Sequence, residues 1–403
     1  PVLPDPALPA LDEPFGILVT GIGGTGVVTI GALLGMAAHI EEKGVSVLDM
    51  TGLAQKGGAV INEAVCEGCG DCGVQSNCVS IIPVETEFGR KRAIDQSSCN
   101  KDFSCVKGFC PSFVTVHGGQ LKKRKPAQRD SAGDDAFGEL PDPALPSLAR
   151  PFDILITGIG GTGVVTIGAL LGMAAHLEGK GCSVLDMAGL AQKGGAVFTH
   201  VRIAAKPEDI HAVRIAAGGA ELLLGCDIVV AASFDGLAKI EQGRTWSLIN
   251  AHETMTGDFT RMPDLEFPGR RLQELIVEAT GRERSDFIDA TNLATVLLGD
   301  SIATNPFMMG YAYQKGLLPV SAAAIERAIE LNEVAIEANK RAFMWGRRAA
   351  HDRPAVERLV ARVSPEPESH HIAKSLEEIV AKRVQFLTDY QDAAYAARYR
   401  ALV

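Results

Sequence analysis

The sequence lacks the excess of basic residues that is typical of nucleic-acid-binding proteins. Its 403 residues include 39 lysines and arginines against 49 aspartates and glutamates, a formal net charge of −10. This balance argues against a nucleic-acid partner and is typical of a soluble cytoplasmic protein. The chain also begins at Pro1 without an initiator methionine, a signal peptide or a transit peptide, so we expect a fragment of a longer protein.

Charged side chains are absent from two long segments, residues 17–40 and 154–177. Each segment is long enough to cross a membrane as a helix. Glycine and threonine are crowded near the start of both segments, whereas a membrane span would spread its apolar residues evenly. The pattern favours a buried strand, a glycine turn and a buried helix, and we predict no membrane span.

Both segments belong to an internal repeat. Leu3–Val60 and Leu140–Val197 align without a gap, and 49 of the 58 aligned positions are identical. The match stops abruptly after Val60, which indicates a recombination or sequence-assembly junction. We predict that residues 1–60 are a partial duplicate of a glycine-rich strand–helix–strand unit. Such a unit has too few elements to fill a core, so it should add little to stability.

The rest of the chain is predicted to contain a cysteine-rich segment at 61–119, a linker at 120–150, an α/β domain at 151–350 and the start of a truncated helical domain at 351–403. Alternating strands and helices indicate a Rossmann-like, mainly parallel sheet covered by helices. The predicted strands are Ile154–Gly158, Ser183–Met187, Val197–Ile203, Ile228–Ala232, Ser247–Asn250 and Phe287–Asp289. The predicted helices include Gly163–Leu177, Ala220–Leu224, Thr291–Leu298 and Ser321–Phe343.

A glycine-rich motif follows the first strand of the predicted α/β domain and opens its first helix. In this context Gly158 is expected to permit a tight turn, Gly160 to let a pyrophosphate approach, and Gly163 to allow close helix–strand packing. Asp186 ends the next predicted strand, where a ribose-binding carboxylate is expected. The motif fits NAD, FAD, coenzyme A or no ligand at all. The candidate cofactor-binding residues are Gly158, Gly160, Gly161, Thr162, Gly163 and Asp186.

Seven of the nine cysteines lie between Cys66 and Cys110. Their order is Cys66-x2-Cys69-x2-Cys72-x5-Cys78, then Cys99-x5-Cys105-x4-Cys110-Pro111. Three thiolates at x2 spacing with a remote Cys-Pro favour a [4Fe–4S] cluster, although x5 replaces the usual x3 before Cys78. Zinc and purely structural thiols are the alternatives.

The predicted ligands of one cluster are Cys66, Cys69, Cys72 and Cys110. A second cluster on the remaining thiols of the segment, Cys78, Cys99 and Cys105, would lack a fourth thiolate, so the sequence leaves open whether these thiols are structural or bind a second cluster. Cys182 and Cys226 stand alone in apolar sequence, so they are predicted to be buried core thiols.

These motifs resemble a known enzyme family. Val65–Cys78, Asp95–Cys105 and Cys110–His117 are similar to the fused indolepyruvate ferredoxin oxidoreductases. The domain that follows resembles the gamma-type domain of the pyruvate and 2-oxoacid ferredoxin oxidoreductases. Its matching segments are Gly158–Thr166, Gly189–Val197, His200–Arg202, Ala328–Asn332 and Phe343 with Gly346-Arg347.

The resemblance implies oxidative decarboxylation of an aryl 2-oxoacid to an acyl-coenzyme A. Electrons would leave through [4Fe–4S] clusters to ferredoxin or a similar carrier, and the full enzyme would be a homo-oligomer. In that family thiamine diphosphate with Mg²⁺ cleaves the bond, at a Gly-Asp-Gly motif followed by asparagines. This chain has no such pair of motifs, so we expect no catalytic residue here and no activity from the chain alone.

Two other functions stay open at this point. One is an NAD-dependent dehydrogenase with a structural metal. The other is a non-catalytic subunit-interface module whose glycine turn binds nothing.

Overall fold

The computed structural model describes residues 57–117, except 64, 87, 97, 98, 100, 101, 108 and 109, together with 140–188, 195–363, 373 and 375–403. Residues 1–56 of the predicted duplicate and residues 120–139 of the predicted linker therefore lie outside the described residues.

The cysteine-rich segment is built on two pairs of short antiparallel strands. β1 (Gly57–Ile61) pairs with β4 (Phe113–His117), and β2 (Ile81–Thr86) pairs with β3 (Gly89–Ile94). A short helix α1 (Asp71–Ser76) and a 3₁₀ turn (Ser104–Val106) lie between these strands. Because β1 begins in the duplicated sequence and runs through Val60 into Ile61, the boundary predicted between residues 60 and 61 falls inside a strand.

A six-stranded mixed sheet organises the second half of the chain. Its strands are β5 (Phe152–Ile159), β6 (Gly181–Ala188), β7 (Ala196–Ala204), β8 (Leu222–Gly225), β9 (Trp246–Asn250) and β10 (Ser285–Ile288), and their order is β10-β9-β8-β5-β7-β6. The pairs β5–β8, β8–β9 and β9–β10 are parallel, whereas β7 runs antiparallel to both β5 and β6.

The predicted α/β class is therefore confirmed, and the mainly parallel sheet is corrected to a mixed one. A short connection joins β6 to β7, which favours antiparallel neighbours. As a result β7 occupies the place beside β5 that β6 would have in a Rossmann fold.

Helices cover both faces of this sheet and continue to the end of the chain. They are α2 (Val164–Leu177), α3 (Ile228–Ala231), α4 (Phe234–Leu237), α5 (Gly269–Thr280), α6 (Ala290–Leu298), α7 (Thr304–Gln314), α8 (Ala322–Leu331), α9 (Ile336–His351), α10 (Arg353–Val363), α11 (Leu376–Tyr390) and α12 (Ala393–Leu402). The predicted helical C-terminal part is confirmed. Within the described residues, no helix has both the length and the apolar character that a membrane crossing needs.

Three predicted elements differ from the structure. Most of Ala220–Leu224 belongs to the strand β8, because its leucines are fully buried between β5 and β9. Ile228–Ala232 is helical because Asp227 caps it, its Oδ1 accepting a hydrogen bond from the Val230 N–H at 2.8 Å. Ser321–Phe343 is divided into α8 and α9, where Glu333 and Ala335 have left-handed φ angles of 55° and 45°.

Residues 140–150, which precede β5, are bound to the helical layer by side-chain hydrogen bonds. Arg347, only 6% exposed, donates to Asp142 at 2.8 Å and to Gln314 Oε1 at 2.8 Å. The Tyr313 hydroxyl also donates to Asp142, at 3.1 Å. Residues 140–150 of the predicted linker are thus anchored to α7 and α9.

Candidate functional site

The glycine-rich motif lies at the carboxyl end of β5. From β5 the chain passes through α2 to β6 on one side, while β8 pairs with β5 on the other side. The crevice between β5 and β8 is therefore a topological switch point, the place where open α/β sheets commonly bind ligands.

The glycines of this motif have different roles from those predicted. Gly158 lies within β5, and a Cβ at this position would approach Val164 Cγ2 to 2.5 Å and Cys226 Cβ to 3.2 Å. Gly158 therefore permits close helix–strand packing rather than a turn. Gly161 and Gly163, with φ angles of 90° and 91°, supply the left-handed turn that leads into α2.

Hydrogen bonds within the protein already engage part of this loop. The Gly160 N–H donates to the Gly195 carbonyl at 2.8 Å, and the Thr162 N–H donates to the Ile159 carbonyl at 3.3 Å. Asn305, 3% exposed, donates from Nδ2 to the Thr162 carbonyl at 2.7 Å. A phosphate could bind the Gly160 amide only by displacing Gly195.

Asp186 lies apart from the glycine loop in the sheet order. It is near the end of β6, and its carboxylate accepts a hydrogen bond from Thr199 Oγ1 at 2.6 Å. In a dinucleotide-binding fold the ribose-binding carboxylate ends the strand next to the glycine-bearing strand. Here β7 occupies that neighbouring position, so ribose binding by Asp186 remains a prediction.

Sequence reasoning missed a polar group at the same edge of the sheet. His252 follows β9 and Asp289 follows β10, and their side chains lie 3.0 Å apart. The hydrogen bond to Asp289 raises the pKa of His252 above its usual range and, against burial, keeps the pKa of Asp289 low. The signal that could have found this pair was their place at the ends of two predicted strands, since His252 closely follows Ser247–Asn250 and Asp289 ends Phe287–Asp289.

Cys66 and Cys69 lie on a tight turn ahead of α1, and Cys72 lies in the first turn of α1 itself. Gly68 and Gly70 have left-handed φ angles of 75° and 78°, and the Gly68 N–H donates to Cys66 Sγ at 3.4 Å. Cys66 is buried, Cys72 is half-buried and Cys69 is exposed. Burial raises the pKa of Cys72 to about 11, and the negative charges of Cys66 and Cys69 contribute to this rise.

The β1–β4 pairing brings Cys110 to the end of the segment that carries this turn. Ile61 pairs with Phe113, and the Asn62 N–H extends the ladder to the Ser112 carbonyl at 2.7 Å. From this point one strand leads forward to Cys66, and the other leads back to Cys110, which is exposed. The strand pairing therefore brings the part of the chain that leads to Cys66 and the part that comes from Cys110 to the same end of the ladder, and the set of four ligands stays a prediction.

The other three thiols of the segment form a second group. Cys78, Cys99 and Cys105 line one recess, and burial raises the pKa of Cys105, with smaller contributions from Cys78 and Cys99. In contrast, Cys226 is buried in the main core, which confirms the prediction for this thiol, whereas Cys182 is half-buried and packs against the core from outside.

No three His, Cys, Asp or Glu side chains in the described parts of the chain are arranged to hold a single metal ion. Such an arrangement is tight, because a tetrahedral ion with Zn–S distances of about 2.3 Å holds its sulfurs less than about 4 Å apart. A four-iron cluster is larger and holds its thiolates farther apart.

The cysteine-rich segment is packed against the loop between β9 and α5. Arg92, only 2% exposed, donates to the Pro263 carbonyl at 2.7 Å and lies over the Phe259 ring, 5.1 Å from its centroid. Arg90 donates to the Leu265 carbonyl at 3.1 Å. These contacts fix the two β3 arginines to the α/β domain.

Comparison with known proteins identifies relatives of the α/β domain. Residues 153–349 match the model of the family described as pyruvate ferredoxin/flavodoxin oxidoreductase. The indolepyruvate oxidoreductase subunit IorB of Pyrococcus horikoshii is 28% identical over 205 residues, which cover 50% of this chain and 98% of that subunit. The corresponding subunit of Thermococcus kodakarensis is 28% identical over 209 residues, with the same coverage.

A solved structure of the gamma subunit of a keto/oxoacid ferredoxin oxidoreductase from Geobacter sulfurreducens aligns with 50% of this chain and 98% of its own. It is 21% identical, with a TM-score of 0.36. Residues 153–349 are therefore the part of the chain that is similar to the pyruvate ferredoxin/flavodoxin oxidoreductase family.

Proposed function

We propose that this chain is the electron-transfer and gamma-type portion of a cytoplasmic enzyme similar to indolepyruvate ferredoxin oxidoreductase. The full enzyme would be a homo-oligomer that oxidatively decarboxylates an aryl 2-oxoacid to an acyl-coenzyme A and passes electrons to ferredoxin or a similar carrier. Thiamine diphosphate and Mg²⁺ would belong to a domain absent from this chain. The family match of residues 153–349 and the indolepyruvate oxidoreductase relatives support this proposal.

The observation that supports the electron-transfer role is the β1–β4 pairing, which brings the chain leading to Cys66 and the chain coming from Cys110 to one end of the ladder, with Cys69 and Cys72 close after Cys66 in sequence. The Gly68 N–H is directed at Cys66 Sγ, and hydrogen bonds to cluster sulfurs are one means by which proteins set reduction potential. A [4Fe–4S] cluster bound here would supply one-electron transfer. Since metal-bound cysteines are thiolates, loading the cluster would release the protons that the free thiols hold.

The glycine loop at the switch point is the proposed site for coenzyme A or the substrate end. Ligands bind there in many α/β sheets, and the N-terminus of α2 faces the same crevice. An NAD-dependent dehydrogenase has less support, since β7 separates β5 from β6 and the Gly160 amide is bonded to Gly195. No observation favours a module without a redox role.

Iron and sulfide analysis of anaerobically purified variants tests the electron-transfer role. Serine at Cys66, Cys69, Cys72 or Cys110 replaces a thiolate with a harder oxygen ligand. Each variant should therefore lose about four iron and four sulfide per chain, the content of one cluster. Cys182→Ser is the matched control and should retain them. Tightly bound zinc without sulfide after anaerobic reconstitution would contradict the proposal.

A further inference from the structure

The β3 residue Arg92 is a cation buried between the cysteine-rich segment and the α/β domain. Only 2% of its surface is exposed. Its guanidinium donates to the Pro263 carbonyl at 2.7 Å and to the Lys91 carbonyl at 3.1 Å, and it lies over the Phe259 ring. Two carbonyls and an aromatic face bind the guanidinium, but none of them carries a negative charge.

A buried charge is costly unless an opposite charge compensates it. Arg347, which is 6% exposed, has such a partner in Asp142 at 2.8 Å. Arg90, the other arginine of β3 that contacts the same loop, is paired with Glu85 at 2.6 Å. Within the described part of the chain, no carboxylate forms an ion pair with Arg92. The charge of Arg92 therefore calls for an anion beside it.

The guanidinium of Arg92 reaches the turn that leads from Cys69 into α1. A Cβ added at Gly70 would lie 3.1 Å from Arg92 Nη2 and 2.3 Å from Pro263 Cβ, so the turn is pressed closely against both residues. Burial is the main cause of the raised pKa of Cys72, and the positive charge of Arg92 acts in the opposite direction. Arg92 is thus within electrostatic range of a sulfur that is predicted to be a cluster ligand.

We propose that Arg92 is the buried counter-charge of the iron–sulfur cluster in the proposed function, and that it raises the reduction potential of that cluster. The inference rests on the proposed function, which places the cluster at the neighbouring cysteines. A [4Fe–4S]²⁺ core bound by four thiolates is a net anion and would supply the missing negative charge. Pro263 and Phe259, both from the α/β domain, position the guanidinium.

Reduction makes the cluster more negative. Dithionite, which is oxidised to sulfite, would give one electron to the [4Fe–4S]²⁺ core and leave [4Fe–4S]⁺ with the same four thiolates. A neighbouring cation stabilises this reduced state more than the oxidised one, so it raises the reduction potential. Because Arg92 is buried, salt should screen the interaction less than it would at the surface.

A dithionite titration of the anaerobically purified chain, followed by the electron paramagnetic resonance signal of the reduced cluster, measures the midpoint potential. Arg92→Gln and Arg92→Met both remove the charge, and methionine also fills the apolar space. In each variant the equilibrium constant for reduction should fall about tenfold, a shift of about 59 mV to more negative potential for one electron. The shift should persist at high salt. Arg92→Lys keeps the charge and should keep most of the wild-type potential.

Arg90→Gln is the matched control. It removes the hydrogen bond to the Leu265 carbonyl in the same loop, but the charge that it removes is already balanced by Glu85. This variant should keep the wild-type potential, which separates the loss of a loop contact from the loss of an uncompensated charge. A shift as large as that of Arg92→Gln would contradict the inference.

Iron content separates the possible outcomes. Wild-type potential in Arg92→Gln or Arg92→Met, with wild-type iron and sulfide, would overturn the inference and leave the proposed function standing. Loss of iron from both neutral variants but not from Arg92→Lys would support it, since the cluster would then depend on the positive charge. Loss of iron from all three variants would show that the shape of the guanidinium is required rather than its charge, and would overturn the inference. A wild-type chain that binds no iron under any condition would overturn the proposed function itself.

Discussion

His200 is a titratable side chain held neutral inside the sheet. It lies in β7 with 2% of its surface exposed, and its Nδ1 accepts a hydrogen bond from the Ile215 N–H at 3.2 Å. Burial lowers the pKa of His200 to about 4, and the positive charges of Lys239 and Arg214 act in the same direction. Protonation would also destroy the acceptor that Ile215 uses.

The chain should therefore lose stability on mild acidification. Between pH 6.5 and pH 4 the unfolded chain binds a proton at His200 and the folded chain does not. The free energy of unfolding should fall by about 3 kcal/mol across this interval from this group alone. His200→Asn places an amide oxygen near the Nδ1 position and cannot titrate. Urea unfolding at several pH values should show the smaller pH dependence for the variant, and equal slopes would contradict this account.

At the scale of elements, the duplicated sequence contributes a strand to the cysteine-rich segment. Ala59 is 3% exposed in β1, and its carbonyl accepts a hydrogen bond from Gln96 Nε2 at 2.8 Å. Five residues of β1 pair with β4, including four from the duplicate. The expectation that residues 1–60 add little to stability is therefore divided at Gly57. It is kept for residues 1–56 and given up for residues 57–60, which belong to β1.

Two truncations test this division. Removing residues 1–56 leaves β1 intact and should preserve the iron content of the chain. Removing residues 1–60 deletes four of the five paired residues, so the turn at Cys66 loses its connection to β4 and the iron content should fall by at least half. Metal analysis with limited proteolysis of both truncated chains provides the measurement. Equal iron in the two would show that β1 is dispensable.

The local sequence pattern was sufficient to predict the long or strongly alternating strands and helices. It was insufficient to predict the short buried ones. The strands β5, β6, β7, β9 and β10 and the helix α2 were predicted near their observed bounds, because their apolar residues lie between clear turn signals. The predicted types of β8 and α3 were exchanged: β8 was predicted as a helix and α3 as a strand. Both are short and apolar, and only the sheet and the Asp227 cap distinguish them. The insertion of β7 beside β5 depends on long-range pairing that periodicity cannot reveal.

The same limit applied to the sites. Cysteine spacing predicts a ligand group of Cys66, Cys69, Cys72 and Cys110, which stays a prediction, whereas only the fold shows that Cys78 lies in one recess with Cys99 and Cys105. The glycine motif was found, but the roles of Gly158 and Gly163 depend on which neighbour approaches each one.

At the scale of the whole molecule, we expect the chain alone to be inactive in decarboxylation. The family reaction needs an electron sink for the carbanion, which thiamine diphosphate supplies, and the chain has no thiamine motif. Purified chain given indolepyruvate, coenzyme A and ferredoxin should release no carbon dioxide above background. A preparation of the complete enzyme is the positive control. Thiamine-dependent turnover by the pure 403-residue chain would refute this expectation.

The cysteine-rich segment holds the α/β domain through two arginines that bond to backbone carbonyls of the facing loop, at Pro263 and Leu265. Every residue supplies a backbone carbonyl, whatever its side chain. Evolutionary replacement of Leu265 should therefore be tolerated, whereas an insertion or deletion in the loop would move both acceptors at once. Homologues that keep this contact should vary in the composition of the loop and agree in its length.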